Sequence, residues 1–394
     1  MTFGRGMLEH WTIDPDTTYL NHGTVGVAPR CVMAAQQAIR DEMERQPARF
    51  MLRQVSHLVG APTGEPTLVR RAAEEVASFL GAEGDDLVFV DNATSGANAV
   101  LRSVPFQVGD EILLTDHNYG ATARVATFIA RERGAVVRTV AVPYPCFDPG
   151  RLIDEVGRAI GPRTRLAVID HITSESALVF PLAELARCCR ERGVAVLADG
   201  AHAPGTLPLE LSKLGVDWYV GNLHKWAYAP RSCGILWARA DRQTGLHPPV
   251  VSWGLDQGYL AEFDWVGTRD PSPWLASPVG LAFLRELDFE AVRRYNHDLA
   301  WRACEELTER WGGAVERDEE SVGCMVTVPL PLAFGSTLEA AFHLRDRLLE
   351  DDHIEIQVHA RNGRLWVRVS AQVYNEWSDI ERLSDAVARR IPPS

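Results

Sequence analysis

Residues 216–237 read VDWYVGNLHKWAYAPRSCGILW: two short apolar segments, 218–222 and 234–239, joined by a turn that carries Lys225. The 394-residue chain has 40 basic residues, of which only Lys213 and Lys225 are lysine. Arginine stays protonated and forms no imine, whereas a desolvated lysine amine can lose its proton and attack a carbonyl. Lys213 sits in the polar LELSKLG stretch; Lys225 lies between His224 and Trp226, just past an apolar strand. A chain that has otherwise adopted arginine thus keeps a lysine where covalent chemistry would need one.

Working outward, the same grammar runs from about residue 67 to 240. Apolar strand segments at 86–90, 111–115, 135–142, 165–170 and 194–199 precede the two already named. Helical stretches such as RRAAEEVASFLG, YGATARVATFIARERG and LAELARCCRERG alternate with them, which predicts an α/β domain with a mostly parallel sheet. After GTRDPSPW (267–274) the pattern changes to amphipathic stretches, 279–312 and 337–350, around the strands CMVTVPL, IEIQVHA and RLWVRVS. The expected organisation is an N-terminal segment 1–30 across an interface, a large domain 31–268 and a smaller α+β domain 269–394.

A net charge of −13 argues against nucleic acid or an anionic membrane surface as partner. No apolar run approaches the ~18 residues of a membrane span, and a cytoplasmic location is expected. The seven cysteines are scattered without a CxxC pair, so neither a zinc site nor a disulfide framework is indicated.

Open α/β sheets bind ligands beyond the carboxyl ends of their strands. The segments there are DNATSG, DHNYG, HITSES, GAHAPG and LHK. Thr94 and Ser95 stand at a helix start, where free N–H groups face an anion. Asp199 ends its strand, where a carboxylate favours a neighbouring cation such as a protonated pyridine nitrogen. Phosphate cradle, strand-end aspartate and framed lysine together describe a pyridoxal phosphate site.

The stretches YLNHGTVGVAPR, NATSGANAV, DHNYGA, IDHITSESALVFP, LADGAHAPG, GNLHKW, GTRDPSPW and LWVRVSAQVYN, in order over residues 11 to about 380, resemble the isopenicillin N epimerase-like branch of the class V aminotransferase-fold enzymes. The resemblance implies a fold type I (aspartate aminotransferase-like) pyridoxal phosphate enzyme. Lys225 would hold the cofactor as an imine and shuttle the Cα proton, Asp199 would pair with the pyridine nitrogen, and His202 would lie near the ring hydroxyl. Thr94, Ser95, Asn222 and His224 would hold the phosphate, with Thr268 reaching the phosphate of a neighbouring subunit in a homodimer. Either His117 or Tyr119 would lie over the ring. Arg368 would take the substrate α-carboxylate, a match of guanidinium to carboxylate geometry. Asn21 and His22 would line the substrate pocket, and Ser174 stands where many relatives carry asparagine near the ring hydroxyl.

An amino-acid substrate bound there loses its Cα proton. Persulfide-forming desulfuration needs a mobile cysteine shortly before Arg368, and none occurs after Met325. The expected reaction is β-elimination from an S-substituted cysteine in specialised metabolism. Epimerisation, with Tyr119, His22 or a water serving the face opposite Lys225, stands close behind, followed by decarboxylating or transaminating variants. A cofactor-binding regulator is the non-enzymatic alternative, although no segment remains for a DNA-binding module.

Overall fold

The computed structural model describes residues 2–56 and 65–391. Twelve strands occur among them: β1 Thr18–Tyr19, β2 Leu87–Val90, β3 Glu111–Thr115, β4 Val136–Val140, β5 Thr164–Asp170, β6 Ala195–Gly200, β7 Trp218–Asn222, β8 Gly234–Ala238, β9 Met325–Pro329, β10 Ile354–Glu355, β11 Gln357–Arg361 and β12 Arg364–Ser370. Seven of them form the central sheet in the order β2-β8-β7-β6-β5-β3-β4. Neighbours from β7 to β4 run parallel, and β8 is antiparallel to both β7 and β2.

Both faces of this sheet are covered over six of its strands, which is why these read as largely apolar runs, whereas the edge strand β4 is mostly exposed. Phe89, Leu113, Ile169, Val196 and Ile235 pack on one side; Val88, Ile112, Val168, Leu197 and Leu236 pack on the other. The helices between strands end where the sequence says they should. Leu68–Phe79 stops before Gly81 (φ 65°), and Gly120–Arg133 closes on the left-handed Gly134. Asn92 caps Ala93–Ser103 by accepting from Ser95 N at 2.9 Å, the bond such a cap exists to make.

A second, three-stranded antiparallel sheet runs β11-β12-β9. Its apolar face (Val326, Val328, Val358, Leu365, Val367, Val369) forms a core with Leu299, Leu307, Leu344 and Leu383 from the surrounding helices. The amphipathic stretch 279–312 is two helices, Ser277–Glu286 and Phe289–Arg310, broken at Asp288. Asp288 takes φ 65° and caps the second helix through Glu290 N and Ala291 N. Trp274 and Leu281 pack into the core of the large sheet, whereas the core of the smaller sheet takes its first helical residue at Leu299.

The stretch IEIQVHA is also divided. Its first two residues form β10, which pairs in parallel with β1, and the rest form β11 in the three-stranded sheet. The N-terminal segment is thereby stitched to the C-terminal third, while Trp11 packs edge-on against Tyr228 and Tyr374.

The same segment passes hard against the turn that carries Lys225. A Cβ on Gly26 (φ 67°) would lie 1.8 Å from the His224 carbonyl oxygen. Gly26→Ala is expected to cost about 1–3 kcal/mol, the range for an enforced backbone strain, seen as a lower midpoint in urea unfolding and as weakened cofactor retention.

Candidate functional site

The carboxyl ends of β2, β3, β5, β6 and β7 bring the polar segments to one edge of the sheet. Asp170 and Asp199 are direct neighbours in the β5–β6 register. Lys225, three residues past β7, is buried at 8 % exposure, and its Nζ lies 3.0 Å from His202 Nε2. Burial lowers its pKa from 10.5 to about 7, the Arg368 charge pushes the same way, and Asp199 opposes them. This is a lysine tuned toward a free amine, the condition for a nucleophile or proton carrier. His202 is itself held well below its ordinary pKa, by burial first and by Lys225 second, so the contact is that of a neutral imidazole. Its other ring nitrogen is buried without a partner among the described residues.

Asp199 accepts from Thr122 Oγ1 (2.9 Å) and Ala201 N (3.1 Å), and burial raises its pKa. Its carboxylate forms no ion pair among the described residues. Asp170, equally buried, is raised well above the usual carboxylate range by burial and by Asp199. It accepts from Asn118 Nδ2 (2.5 Å) and Tyr119 N (3.3 Å), tying the turn after β3 to the end of β5.

That turn distinguishes the two aromatic positions. His117 is buried, with Nδ1 2.6 Å from Ser176 Oγ, and burial helped by Arg361 and Arg317 lowers its pKa to about 3. Tyr119 is 43 % exposed at the start of the following helix. His117 is therefore the ring fixed inside the site, and Tyr119 stands at its margin.

At the helix start, Ala93 N donates to Asn222 Oδ1 at 2.8 Å, which leaves only the Asn222 amide group to face an anion. Thr94 and Ser95 are half-buried there, and His224 is anchored through Nδ1 to the Cys233 carbonyl at 3.1 Å. Thr268 is exposed and makes no hydrogen bond among the described residues, while its neighbour Arg269 pairs with Asp91.

Arg368 on β12 is 2 % exposed. Its guanidinium donates to the Ser174 carbonyl (2.6 Å), Asn21 Oδ1 (3.3 Å) and Thr24 Oγ1 (2.7 Å), all uncharged, and Nε has no partner among the described residues. Burial lowers its pKa to about 10. A buried guanidinium without a carboxylate is costly unless an anion joins it. Ser174 thus meets Arg368 through its carbonyl rather than through its hydroxyl. Asn21 is held in turn by Glu355, to whose Oε1 its amide donates at 2.7 Å.

His22 differs from the expectation of a proton-transfer residue. Its Nδ1 lies 2.8 Å from Tyr374 Oη and its Nε2 2.8 Å from the Lys225 carbonyl oxygen, with no exposure at all. Both nitrogens are engaged, so the ring braces the backbone of Lys225 and has no free atom for a substrate. Thr122, Asp170, Ser176 and Tyr374 are site residues that sequence reading did not single out. Only Asp170, ending an apolar strand as Asp199 does, carried a comparable signal.

These groups fit pyridoxal phosphate. Asp199 is a buried carboxylate without a cation, His202 offers an unpartnered nitrogen, Lys225 a free amine, and the helix start and His224 a place for phosphate. Among the described residues no cluster of metal ligands occurs and no helix is long and apolar enough to cross a membrane.

Comparison with known proteins agrees with this arrangement. A family model described as aminotransferase class-V matches residues 18–383. A probable chloroplastic L-cysteine desulfhydrase of Arabidopsis thaliana is 33 % identical, over 95 % of this chain and 83 % of its own. Isopenicillin N epimerase of Amycolatopsis lactamdurans is also 33 % identical, over 96 % of both chains. Among solved structures, a C-DES mutant with glycine covalently linked to its PLP cofactor superposes with a TM-score of 0.78 at 21 % identity, covering 97 % of this chain and 98 % of that one.

The amine of Lys225 predicts a pH signature in the cofactor-free protein. Between pH 7 and 10.5 the unfolded chain holds a proton that the folded chain has given up, so stability rises with pH across that window. Lys225→Met is expected to exceed the parent in urea unfolding at pH 7 by on the order of 3–5 kcal/mol. The difference should close toward pH 10.5.

Proposed function

Because the chain belongs to the aminotransferase class V family, we propose that it is a pyridoxal phosphate-dependent C–S lyase, cleaving an S-substituted cysteine by β-elimination. When bound, the cofactor supplies an electron sink for the charge left at Cα as its proton departs.

The chain's residues divide the work. Arg368 binds the α-carboxylate and so fixes which bond at Cα is presented. Lys225 removes the Cα proton. Its depressed pKa near 7 places it where a general base works best at neutral pH. His202, neutral and 3.0 Å away, takes part in holding the amine in place. With the cofactor bound, Asp199 would support a positive charge on its ring nitrogen, and His117 would be the aromatic side chain beside the ring.

The observation that carries elimination over epimerisation is the engagement of both His22 nitrogens. Elimination needs one base and a stable leaving thiolate, whereas inversion needs a proton donor on the far face of Cα. Epimerisation is the second reading, favoured by the exposed Tyr119 at the site margin and by the 33 % identity to isopenicillin N epimerase. In the same proposal the functional unit is a homodimer. The exposed Thr268, and Val250, Val251 and Trp253 exposed in the stretch before it, are surfaces a second copy would cover. A cytoplasmic site of action accords with seven cysteines that are all free.

Incubation of the cofactor-loaded protein in D2O with S-methyl-L-cysteine is expected to yield pyruvate, ammonia and methanethiol. Recovery of amino acid with inverted configuration and deuterium at Cα would establish the epimerase instead. Lys225→Ala should lower turnover by at least about 10²–10⁴-fold, the usual contribution of a general base.

A further inference from the structure

Side chains on β11 and β12 alternate between two faces. One face is the apolar core already described. The other carries His359 and Arg361 from β11, and Trp366 and Arg368 from β12, toward the loop Ser174–Ser176. Arg368 donates to the Ser174 carbonyl, Arg361 lies 3.4 Å from Glu175 Oε2, and Thr327 Oγ1 on β9 donates to the Ser176 carbonyl at 3.1 Å.

Within this face three nitrogens are sealed from solvent without a partner among the described residues: Arg368 Nε, His359 Nε2 and Arg364 Nε. His359 stands opposite Trp366, so Arg368 is its diagonal neighbour across the β11–β12 pair. Diagonal neighbours lie ~7–8 Å apart at the backbone, within reach of long side chains. Arg364 is the other diagonal neighbour of His359, but its guanidinium lies over the Trp366 ring and donates to the Leu330 carbonyl at 2.7 Å, and the charges that act on His359 are Arg368 and Arg361. Ser370 Oγ sits under Gly23. Burying the polar nitrogens of His359 and Arg368 on one face is unfavourable unless a ligand supplies acceptors for both.

We propose that His359 completes the substrate carboxylate site, its Nε2–H donating to one carboxylate oxygen while Arg368 Nε donates to the other. This rests on Arg368 as the carboxylate-binding residue of the proposed function and extends that site to a second side chain. Burial, with Arg368 and Arg361 nearby, lowers the His359 pKa to about 3. The imidazole therefore stays neutral beside two guanidiniums, adding a directed hydrogen bond without adding charge. Ser174, Asn21 and Thr24 occupy the outer nitrogens of Arg368, so the carboxylate would meet its Nε.

The test uses the cofactor-loaded protein and two probes that lack a β-leaving group: L-methionine, and the amine formed by its decarboxylation. Binding of each is titrated through the absorption of the bound cofactor, and the ratio of affinities reports carboxylate recognition. The parent protein should prefer methionine. His359→Leu should reduce that preference about tenfold, as for losing a hydrogen bond to a charged group, while leaving amine binding unchanged. His359→Gln, which keeps an N–H donor, should recover most of it. If the parent shows no preference, the assignment of Arg368 falls and the role of His359 with it. If the parent discriminates and His359→Leu discriminates equally well, only the role of His359 is overturned. Unchanged amine binding shows in the same experiment that the variant is folded.

Discussion

Lys225 and Arg368 are both buried, and neither forms an ion pair among the described residues. Arg368 is the largest charged influence on Lys225, and burial is what lowers Arg368 itself. Such an arrangement survives only because the surrounding cores are large enough to carry its cost. The lysine answers by giving up its proton. The arginine cannot, and waits for an anion. The site is built around that difference.

The architecture delivers the two from separate sheets. Lys225 follows a strand of the seven-stranded sheet and Arg368 lies within the three-stranded one, and the N-terminal segment touches both. His22 reaches the Lys225 carbonyl, Asn21 and Thr24 reach the Arg368 guanidinium, and β1 pairs with β10. Loop residues 174–176 close the other side through Arg368, Thr327 and His117. The site is thus framed by hydrogen bonds whose acceptors around Arg368 are uncharged, which hold its shape without supplying a counter-ion.

How much of this can be read from the sequence depends on the range of the interaction. Six strands of the main sheet are visible as apolar runs, because burial on both faces leaves an unmistakable local pattern, and the exposed edge strand β4 is visible through its valines. Lys225 and Asp199 are visible because each ends or follows such a run. The break at Asp288 is not, since a positive-φ aspartate inside an amphipathic stretch looks like one polar residue among others. Nor is the division of IEIQVHA between two sheets, which depends on a partner strand, Thr18–Tyr19, more than 330 residues away. The role of His22 was legible only as proximity to the pocket. That both of its nitrogens are taken follows from Tyr374 and Lys225, neither of which lies near it in the chain. His359 alternates correctly for the polar face, but its unpartnered nitrogen is a fact of three dimensions.

The stitching of the N-terminal segment to the C-terminal third has a consequence for biosynthesis. The large sheet closes on residues 87–238 and can collapse while the ribosome is still at work, as sequential domains do. The contacts of Asn21 with Arg368 and of His22 with Tyr374 span 347 and 352 positions. Until the last tenth of the chain has emerged, the segment around residue 20 has nothing to pair with and the backbone of Lys225 lacks its brace in final form. Loops of that length are entropically slow to close. A nascent chain can thus assemble the face that accepts a cofactor well before it has a grip on a substrate. Competence to hold an amino acid is the last property the protein acquires, and a release from the ribosome a few dozen residues early would leave a folded body without it.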